Sequence, residues 1–439
     1  MDELADTKRC LMFGRVVMPE LPRADVPIAI TAHGKGVAIF RAARDGLAWE
    51  TSADGVRWET ASAPAGDAGP LRPICSAERS GEGQLLCADP EGRMLGVAAG
   101  DRRLSLNERF RPQFSDEPWY ERLPAPEEMT ILHDEAQAVY RAFFSAHRKS
   151  GRDPERRGCV GSATSPDLRT WSTEPPIFAP NLFSDMVAPS IFSDGGRHVH
   201  FYATPELGGL LGLRFAIAPH LEGPYERLEP DLVARDARTA VHAVRLGERR
   251  LVFFGRAEPA RPGGAAVSRP GLLEFHADGR PFVRFYDGLL GLLGRTLFQT
   301  EMALSSGEIL ARVLPRYGTD FRLTLKVRSL GAKALGVLFR TTMTGSDNVT
   351  LWLDFAARAV LLRRGVSGRL LARAPCRLAT GEEHRVSLWV EGGFADVYLD
   401  DEWVLSCATE GRKSGGFGLA TLGGEGRFDA VTAQAIQTL

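Results

Sequence analysis

The stretch that decides the fold runs Ala136-Gln137-Ala138-Val139-Tyr140-Arg141-Ala142-Phe143-Phe144, then Cys159-Val160-Gly161-Ser162-Ala163-Thr164, then Ser165-Pro166-Asp167-Leu168-Arg169-Thr170-Trp171. The first two pieces are apolar runs of strand length, rich in aromatic and β-branched residues. The third is turn chemistry: a Ser and an Asp, whose short side chains bond their own backbone, set just before a Trp. Together they read as antiparallel strands joined by tight turns. Outward toward the N-terminus the same arrangement returns. Val37-Ala38-Ile39-Phe40 and Leu47-Ala48-Trp49-Glu50-Thr51 lead into Ser52-Ala53-Asp54-Gly55-Val56-Arg57-Trp58.

Further units follow toward the C-terminus. Pro189-Ser190-Ile191-Phe192, a turn at Asp194-Gly195-Gly196 and His198-Val199-His200-Phe201-Tyr202 form one; Val241-His242-Ala243-Val244-Arg245-Leu246, Gly247 and Arg250-Leu251-Val252-Phe253-Phe254 form another. The stretch 70–100, with Gln84-Leu85-Leu86-Cys87 and Met94-Leu95-Gly96-Val97, supplies one more. Units recurring at roughly 40–60 residues predict a five-bladed β-propeller, which buries short strands by radial repetition. A break at Gly288-Leu289-Leu290-Gly291-Leu292-Leu293-Gly294 ends the rhythm. From Phe321 to Ala420 alternating strands resume and predict a β-sandwich of the jelly-roll, lectin-like kind. The expectation is an all-β chain with a propeller over 1–285 and a sandwich over 286–439, a linker occupying 286–318.

Composition narrows the class of function. The 439 residues carry 54 basic and 55 acidic side chains and a net charge of -1. That balance argues against a protein built to grip nucleic acid through a basic surface. No apolar run is long enough to span a membrane, and the acidic opening MDELADTKRC lacks a secretory pattern, so a cytoplasmic location is expected. The six cysteines are scattered without metal-like spacing and read as free thiols. His198 and His200 share a strand face but have no third ligand in the sequence, so neither a metal nor a cofactor is expected. Trp49, Trp58 and Trp171 stand at equivalent positions and read as packing between units. Trp352, Trp389 and Trp403 would serve as a carbohydrate patch if exposed, although alternation places Trp389 with core neighbours as readily.

A propeller followed by a sandwich, with a unit ending Ser-x-Asp-Leu-x-x-Trp, resembles the glycoside hydrolase family 32 enzymes and, more loosely, the arabinanase and xylosidase propellers. The fragment Gly161–Trp171 carries the likeness most closely, with Ser52–Trp58 as a second copy and Phe394–Asp401 resembling the family's C-terminal strand and turn. The resemblance implies carboxylates around a central funnel: a nucleophile and a general acid, about 5–5.5 Å apart, that hydrolyse a glycoside with retention.

Carried over residue by residue, the motif set is degenerate. The family's Arg-Asp-Pro opens the third inner strand; Leu132-His133-Asp134-Glu135-Ala136 matches it, with His133 and Glu135 in place of the Arg and the Pro and Asp134 as hydroxyl binder. The Asn-Asp-Pro-Asn nucleophile motif finds only Ala24-Asp25-Val26-Pro27, making Asp25 either the nucleophile or a turn residue before a strand. The Glu-Cys-Pro acid falls on Val187-Ala188-Pro189, and valine has no proton to donate. Asp185, two residues earlier, would reach from a shifted position or simply precede the strand. In the fifth unit Asp236 resembles a family Asp near the substrate. His242 is either a hydroxyl ligand and acid/base group facing the funnel or a structural histidine.

Two readings follow. One is a glycoside hydrolase-like protein holding a sugar or polyhydroxylated small molecule, with Asp25, Asp134, Asp185 and His242 as catalytic candidates and His133, Glu135 and Asp236 as binding ones. The other is a non-hydrolytic descendant, a sugar-binding protein or small-molecule enzyme without the acid. Oligomeric state and substrate identity are not set by the sequence.

Overall fold

The computed structural model describes residues 28–33, 36–43, 46–61, 72–79, 82–88, 91, 93–99, 104–106, 110–115, 119–124, 129–134, 136–150, 153, 156–194, 196–205, 211–235, 241–257, 265–306, 312–342, 347–409 and 414–437. Among them there is no α-helix, and no helix is long and apolar enough to cross a membrane. The architecture is a β-propeller followed by a β-sandwich.

The propeller half is a succession of antiparallel meanders. Ile28–His33, Gly36–Ala43, Gly46–Ser52 and Glu59–Ala61 form one sheet in chain order, and Arg72–Arg79, Glu82–Ala88, Met94–Ala99 and Leu104–Leu106 form the next. The third has Met129–Asp134, Val139–His147, Gly158–Ser165 and Thr170–Phe178, with Gln113–Phe114 on its outer edge. Val187–Asp194, Arg197–Pro205, Leu211–Ala218 and Leu232–Arg235 make the fourth, and Val241–Leu246 with Arg249–Ala257 begins the fifth. The first strand of each meander adjoins the first strand of the next, and Val241–Leu246 returns to Ile28–His33, closing a ring.

The turn element read from the sequence does the same work twice. Asp167 Oδ1 accepts the N–H groups of Arg169 and Thr170, both at 2.8 Å, and Ser165 Oγ donates to it at 3.1 Å. Asp54 Oδ1 likewise accepts Val56 and Arg57 N–H at 2.8 and 2.9 Å and the Ser52 hydroxyl at 3.0 Å. Fixing each turn aims the following Trp. Trp171 stacks on Phe114 of its own sheet in a cluster with Leu86 and Met94 of the second meander, and Trp58 meets Phe253 of the fifth meander edge-on, so both pack between units as expected.

The second half is two facing sheets, one of six strands and the other continuous through Glu402–Ala408 with strands of the fourth and fifth meanders. In Phe321–Leu330 every other residue is buried, beginning with Phe321, Leu323, Leu325 and Val327, and these pack into one core with Val337, Phe339, Leu351 and Leu353 of the opposite sheet. Period-2 alternation thus places one sheet face on the core. Within the segment expected as a linker over 286–318, the described residues form a short helix and two strands. The sequence break is a 3-10 helix, Asp287–Leu292, after which Leu293–Ser306 pairs along Gly424–Ile436 and Arg312–Gly318 joins the other sheet.

The two halves share a core. Trp389, Tyr398 and Trp403 are buried with Phe254, Phe285 and Tyr286 of the propeller, with the Trp403 and Phe254 rings 4.4 Å apart. Trp352 is buried as well, so the three tryptophans serve packing, not a surface carbohydrate patch. The same joint fastens the ring seam. Arg269 of the fifth meander makes a two-pronged pair with Glu391 of the sandwich, at 2.6 and 2.9 Å, and also donates to Val56 C=O of the first. Tyr286 O–H donates to Asp54 C=O at 3.0 Å. The sandwich therefore braces the place where first and last meanders meet.

Candidate functional site

The direction of the first strands fixes which residues can share a site. Thr130 Oγ1, near the start of Met129–Asp134, donates to Pro189 C=O near the start of Val187–Asp194 at 2.6 Å. At the other end Asp194 binds Arg250 at 2.6 Å, and Arg250 follows the turn that ends Val241–Leu246. These strands consequently run the same way, and their starts gather at one end of the ring.

Asp134 lies at the opposite end. It closes the strand Met129–Asp134 and stands opposite Val139 at the hairpin turn, whereas the sequence expectation had it opening an inner strand. One carboxylate oxygen caps the turn by accepting Ala136 and Gln137 N–H, and the other accepts Arg141 Nε–H at 3.0 Å. Despite the cost of burial, these bonds and the adjacent guanidinium hold its pKa below the usual carboxylate range. At about 3.3 Å per residue the strand separates Asp134 from the starts by roughly 17 Å. His133, one residue earlier on that strand, packs edge-on against Tyr140. The match failed because an apolar run with an Asp at its tail reads equally as the end of one strand or the beginning of the next.

At the gathered starts the described residues bring together Asp185 and His147, an interaction no sequence pattern suggested. Asp185 precedes the fourth first strand by two residues; His147 ends the strand antiparallel to Met129–Asp134. His147 Nε2 and Asp185 Oδ1 are 2.8 Å apart, and Ser184 Oγ donates to Asp185 Oδ2 at 3.0 Å. His147 Nδ1 lies 3.9 Å from Glu121 Oε2. The bond to Asp185, strengthened by both carboxylate charges, raises the His147 pKa above its ordinary value. The same bond, with the Ser184 hydroxyl, lowers that of Asp185. Their signs define a window. Stability from His147 is complete below its unfolded pKa near 6.5 and is lost as pH rises through the raised value. Stability from Asp185 is complete above about 3.8 and is lost as pH falls through the lowered value. The pair is strongest between these limits. Asp185→Asn is expected to bring the His147 titration midpoint back toward about 6.5 in a histidine-resolved NMR titration; an unmoved midpoint would show that the bond is not formed in solution.

His242 is the second residue of Val241–Leu246, and therefore at the same end as Asp185. The residue is half-buried, and burial pushes its pKa down to about 4. It is neutral at pH 7, able to donate one hydrogen bond and accept another, and cannot supply a proton there as an imidazolium. Val187, which the sequence reading set against the family acid, pairs with Ala203 in the sheet. Asp25, Glu135 and Asp236 lie outside the described residues. So do Glu127 and Glu128, which directly precede Met129 in the sequence; a search for acids just before each first strand would have singled them out.

Other polar groups are structural. His200 is fully buried among Phe178, Tyr202 and Tyr225, and burial takes its pKa to about 3. His198 bonds Ser193 Oγ at 2.8 Å, so the two histidines do not act together. No group of three or more His, Cys, Asp or Glu side chains among the described residues is arranged to hold a metal. Burial pushes the Cys159 and Cys376 thiols up to about 12, which keeps them un-ionised and unreactive at neutral pH.

No family model matches the sequence, and no curated protein does. Solved structures do match the fold. Sucrose-6-phosphate hydrolase from Lactobacillus gasseri is 12% identical with a TM-score of 0.64, over 93% of this chain and 91% of that one. Exo-inulinase from Aspergillus awamori is 12% identical with a TM-score of 0.65, over 92% and 94%. A glycoside hydrolase family 32 structure from Bifidobacterium adolescentis is 14% identical with a TM-score of 0.61, over 93% and 79%. Nearly the whole chain therefore adopts the fold of glycoside hydrolase family 32 structures.

Proposed function

We propose that the end of a five-bladed propeller where the first strands begin binds a sugar or another polyhydroxylated small molecule, and that the protein does so without hydrolysing it. Its ligand site comprises His242 and Asp185, with Asp25 and Asp236 as sequence candidates. Asp134, His133 and Glu135 are left out, because Asp134 and His133 belong to the far end of their strand. The fold makes carbohydrate the first ligand class to test, since the structures that share it include a sucrose-6-phosphate hydrolase and an exo-inulinase.

The observation that carries the non-hydrolytic reading is the protonation state of the acid candidates. Glycoside cleavage needs a group that holds a proton at working pH and gives it to the leaving oxygen. Among the described candidates, Val187 has none, Asp185 is held ionised by His147, and His242 has already lost its proton well below neutrality. What the residues can do is accept and donate hydrogen bonds to hydroxyls. Ionised Asp185 offers two acceptor oxygens, and neutral His242 offers one donor and one acceptor.

Calorimetry and a reducing-sugar assay against fructosides, arabinosides and small polyols separate the two readings. Binding without sugar release is expected, with His242→Ala weakening affinity about tenfold, the cost of one or two lost hydrogen bonds to a buried ligand. Binding should also fade as pH falls through about 4, where His242 takes up a proton. Steady release of reducing sugar would restore the hydrolase reading, with Asp25 as nucleophile. Failure to bind any of the panel would remove the carbohydrate reading altogether.

A further inference from the structure

Along the strand Arg197–Pro205 side chains alternate, so Val199 and Phe201 face one side of the fourth meander and His200 and Tyr202 the other. Val199 and Phe201 pack in the core shared with the first and fifth meanders, whereas Tyr202 clusters with Phe143, Val160 and Phe178 of the third. His200 stands in that joint. Its ring lies 5.5 Å from the Tyr202 ring in a stacked arrangement and meets Phe178 and Tyr225 edge-on at 6.1 and 5.6 Å. Neither ring nitrogen has a hydrogen-bond partner or access to solvent. The neutral imidazole therefore leaves one donor and one acceptor unsatisfied, an arrangement that costs stability. The titratable groups facing it are the Tyr202 and Tyr225 phenols, which burial keeps un-ionised. Both are committed elsewhere, Tyr202 to Asp231 Oδ2 at 3.3 Å and Tyr225 to Leu221 C=O at 3.0 Å. Asp231, beyond the Tyr202 hydroxyl, is itself paired with Arg214 and Arg227. The neighbouring strands place Ile191 and Ala216 opposite His200, and burial alone lowers its pKa.

We propose that His200 is an acid trigger: by taking up a proton it opens the joint between the third and fourth meanders. An imidazolium carries a charge and two N–H groups, and the wall around His200 offers neither a counter-ion nor an acceptor. Attraction to the Tyr202 ring offsets only part of that cost. The proton is therefore taken up when the cluster parts and water enters. Residues 179–186, which link the strands Thr170–Phe178 and Val187–Asp194, cross this cluster. Phe183 and Met186 pack in it, and Asp185 between them bonds His147 of the third meander. Opening the joint withdraws both apolar anchors and with them the hold on Asp185. The two histidines answer acid in opposite senses: a proton on His147 strengthens its bond to Asp185, whereas one on His200 is opposed by burial. This device belongs to the scaffold and operates whether or not a sugar binds.

The sign of the pH effect follows from the two states. Below about 6.5 the opened joint binds a proton that the closed one refuses until about 3, so the closed joint loses stability as pH falls through that range. At pH 4.5 this amounts to an opening constant about a hundredfold larger than without the group. Hydrogen exchange on the full chain, corrected for the intrinsic pH dependence of exchange, reads it. From pH 7 to pH 4.5 the strands Thr170–Phe178 and Arg197–Pro205 are expected to lose about a hundredfold more protection in the wild type than in His200→Phe. Phe321–Leu330 of the sandwich should change alike in both. If the larger ring prevents folding, His200→Leu takes its place. An acid response as large in the variant as in the wild type overturns the trigger. A difference spread evenly over the sandwich and the first and fifth meanders overturns the local opening. Histidine-resolved NMR of the wild type needs no variant: His200 is expected to stay neutral in the folded protein down to about pH 5. A His200 signal that titrates near 6.5 with protection intact overturns the proposal.

Discussion

Trp171→Ala is expected to cost about 3–5 kcal/mol of stability, read as a lower midpoint in chemical or thermal unfolding. The indole is fully buried. It stacks on Phe114 with ring centroids 6.2 Å apart and donates from Nε1 to Leu168 C=O at 2.9 Å. Removing it opens a cavity in the third meander and leaves that carbonyl, the product of a turn already set by Asp167, without its donor. Leu168 itself sits at a φ of 66°, an unfavourable backbone state for a branched-chain residue that surrounding contacts must maintain. The effect should spread to Gln113–Phe114, which pairs with the sheet at Thr170 and Trp171. Faster amide exchange is therefore expected at Gln113–Phe114, ahead of the inner strand. A loss below about 1 kcal/mol would mean that the gap collapses or fills with water, against the packing described here.

Gly424→Ala is expected to cost roughly 2–5 kcal/mol, the sum of a strained backbone and a clash with no soft partner. Gly424 has a φ of +151°, and a Cβ there would stand 2.4 Å from Gly331 O, 2.5 Å from Gly331 C and 2.6 Å from Ala332 N. All three are backbone atoms, held by the Gly331–Glu425 bridge and by Ala332 N–H donating to Glu425 C=O at 3.2 Å. The methyl can be accommodated only by moving the turn that connects the two sandwich sheets. Gly392→Ala is the matched control. Gly392 also has a positive φ, +60°, but nothing lies within 4 Å of its Cβ position. Backbone strain alone, about 1 kcal/mol, is expected there. Equal losses at the two positions would show that crowding at Gly424 is relieved without cost.

Neither site could have been ranked from the sequence. Among many glycines, Gly424 is distinguished only by what faces it across the sandwich, a non-local property. Trp171 was legible as a packing residue because the Ser-x-Asp turn before it recurs at Ser52–Trp58, and local turn chemistry survives into the fold. The sandwich strands were legible for a similar reason: period-2 alternation is written into segments such as Phe321–Leu330 and needs no knowledge of the partner sheet. The linker over 286–318 was misread because strands there pair with segments about a hundred residues away, and edge strands carry weaker alternation.

The candidate site divides along the same line. The sequence by itself determined that the chain is all-β and that it repeats turn-punctuated meanders before a sandwich. These follow from residue type and short-range period. Only the tertiary structure decided that Asp134 closes its strand at the far end of the ring, that Asp185 pairs with His147, and that burial pushes the His242 pKa down. It also decided that Trp119 and Glu121 share an outward face with His147. The direction of a strand and the charge of a side chain depend on neighbours brought together by the closure of the ring, and separation along the chain carries no record of that closure.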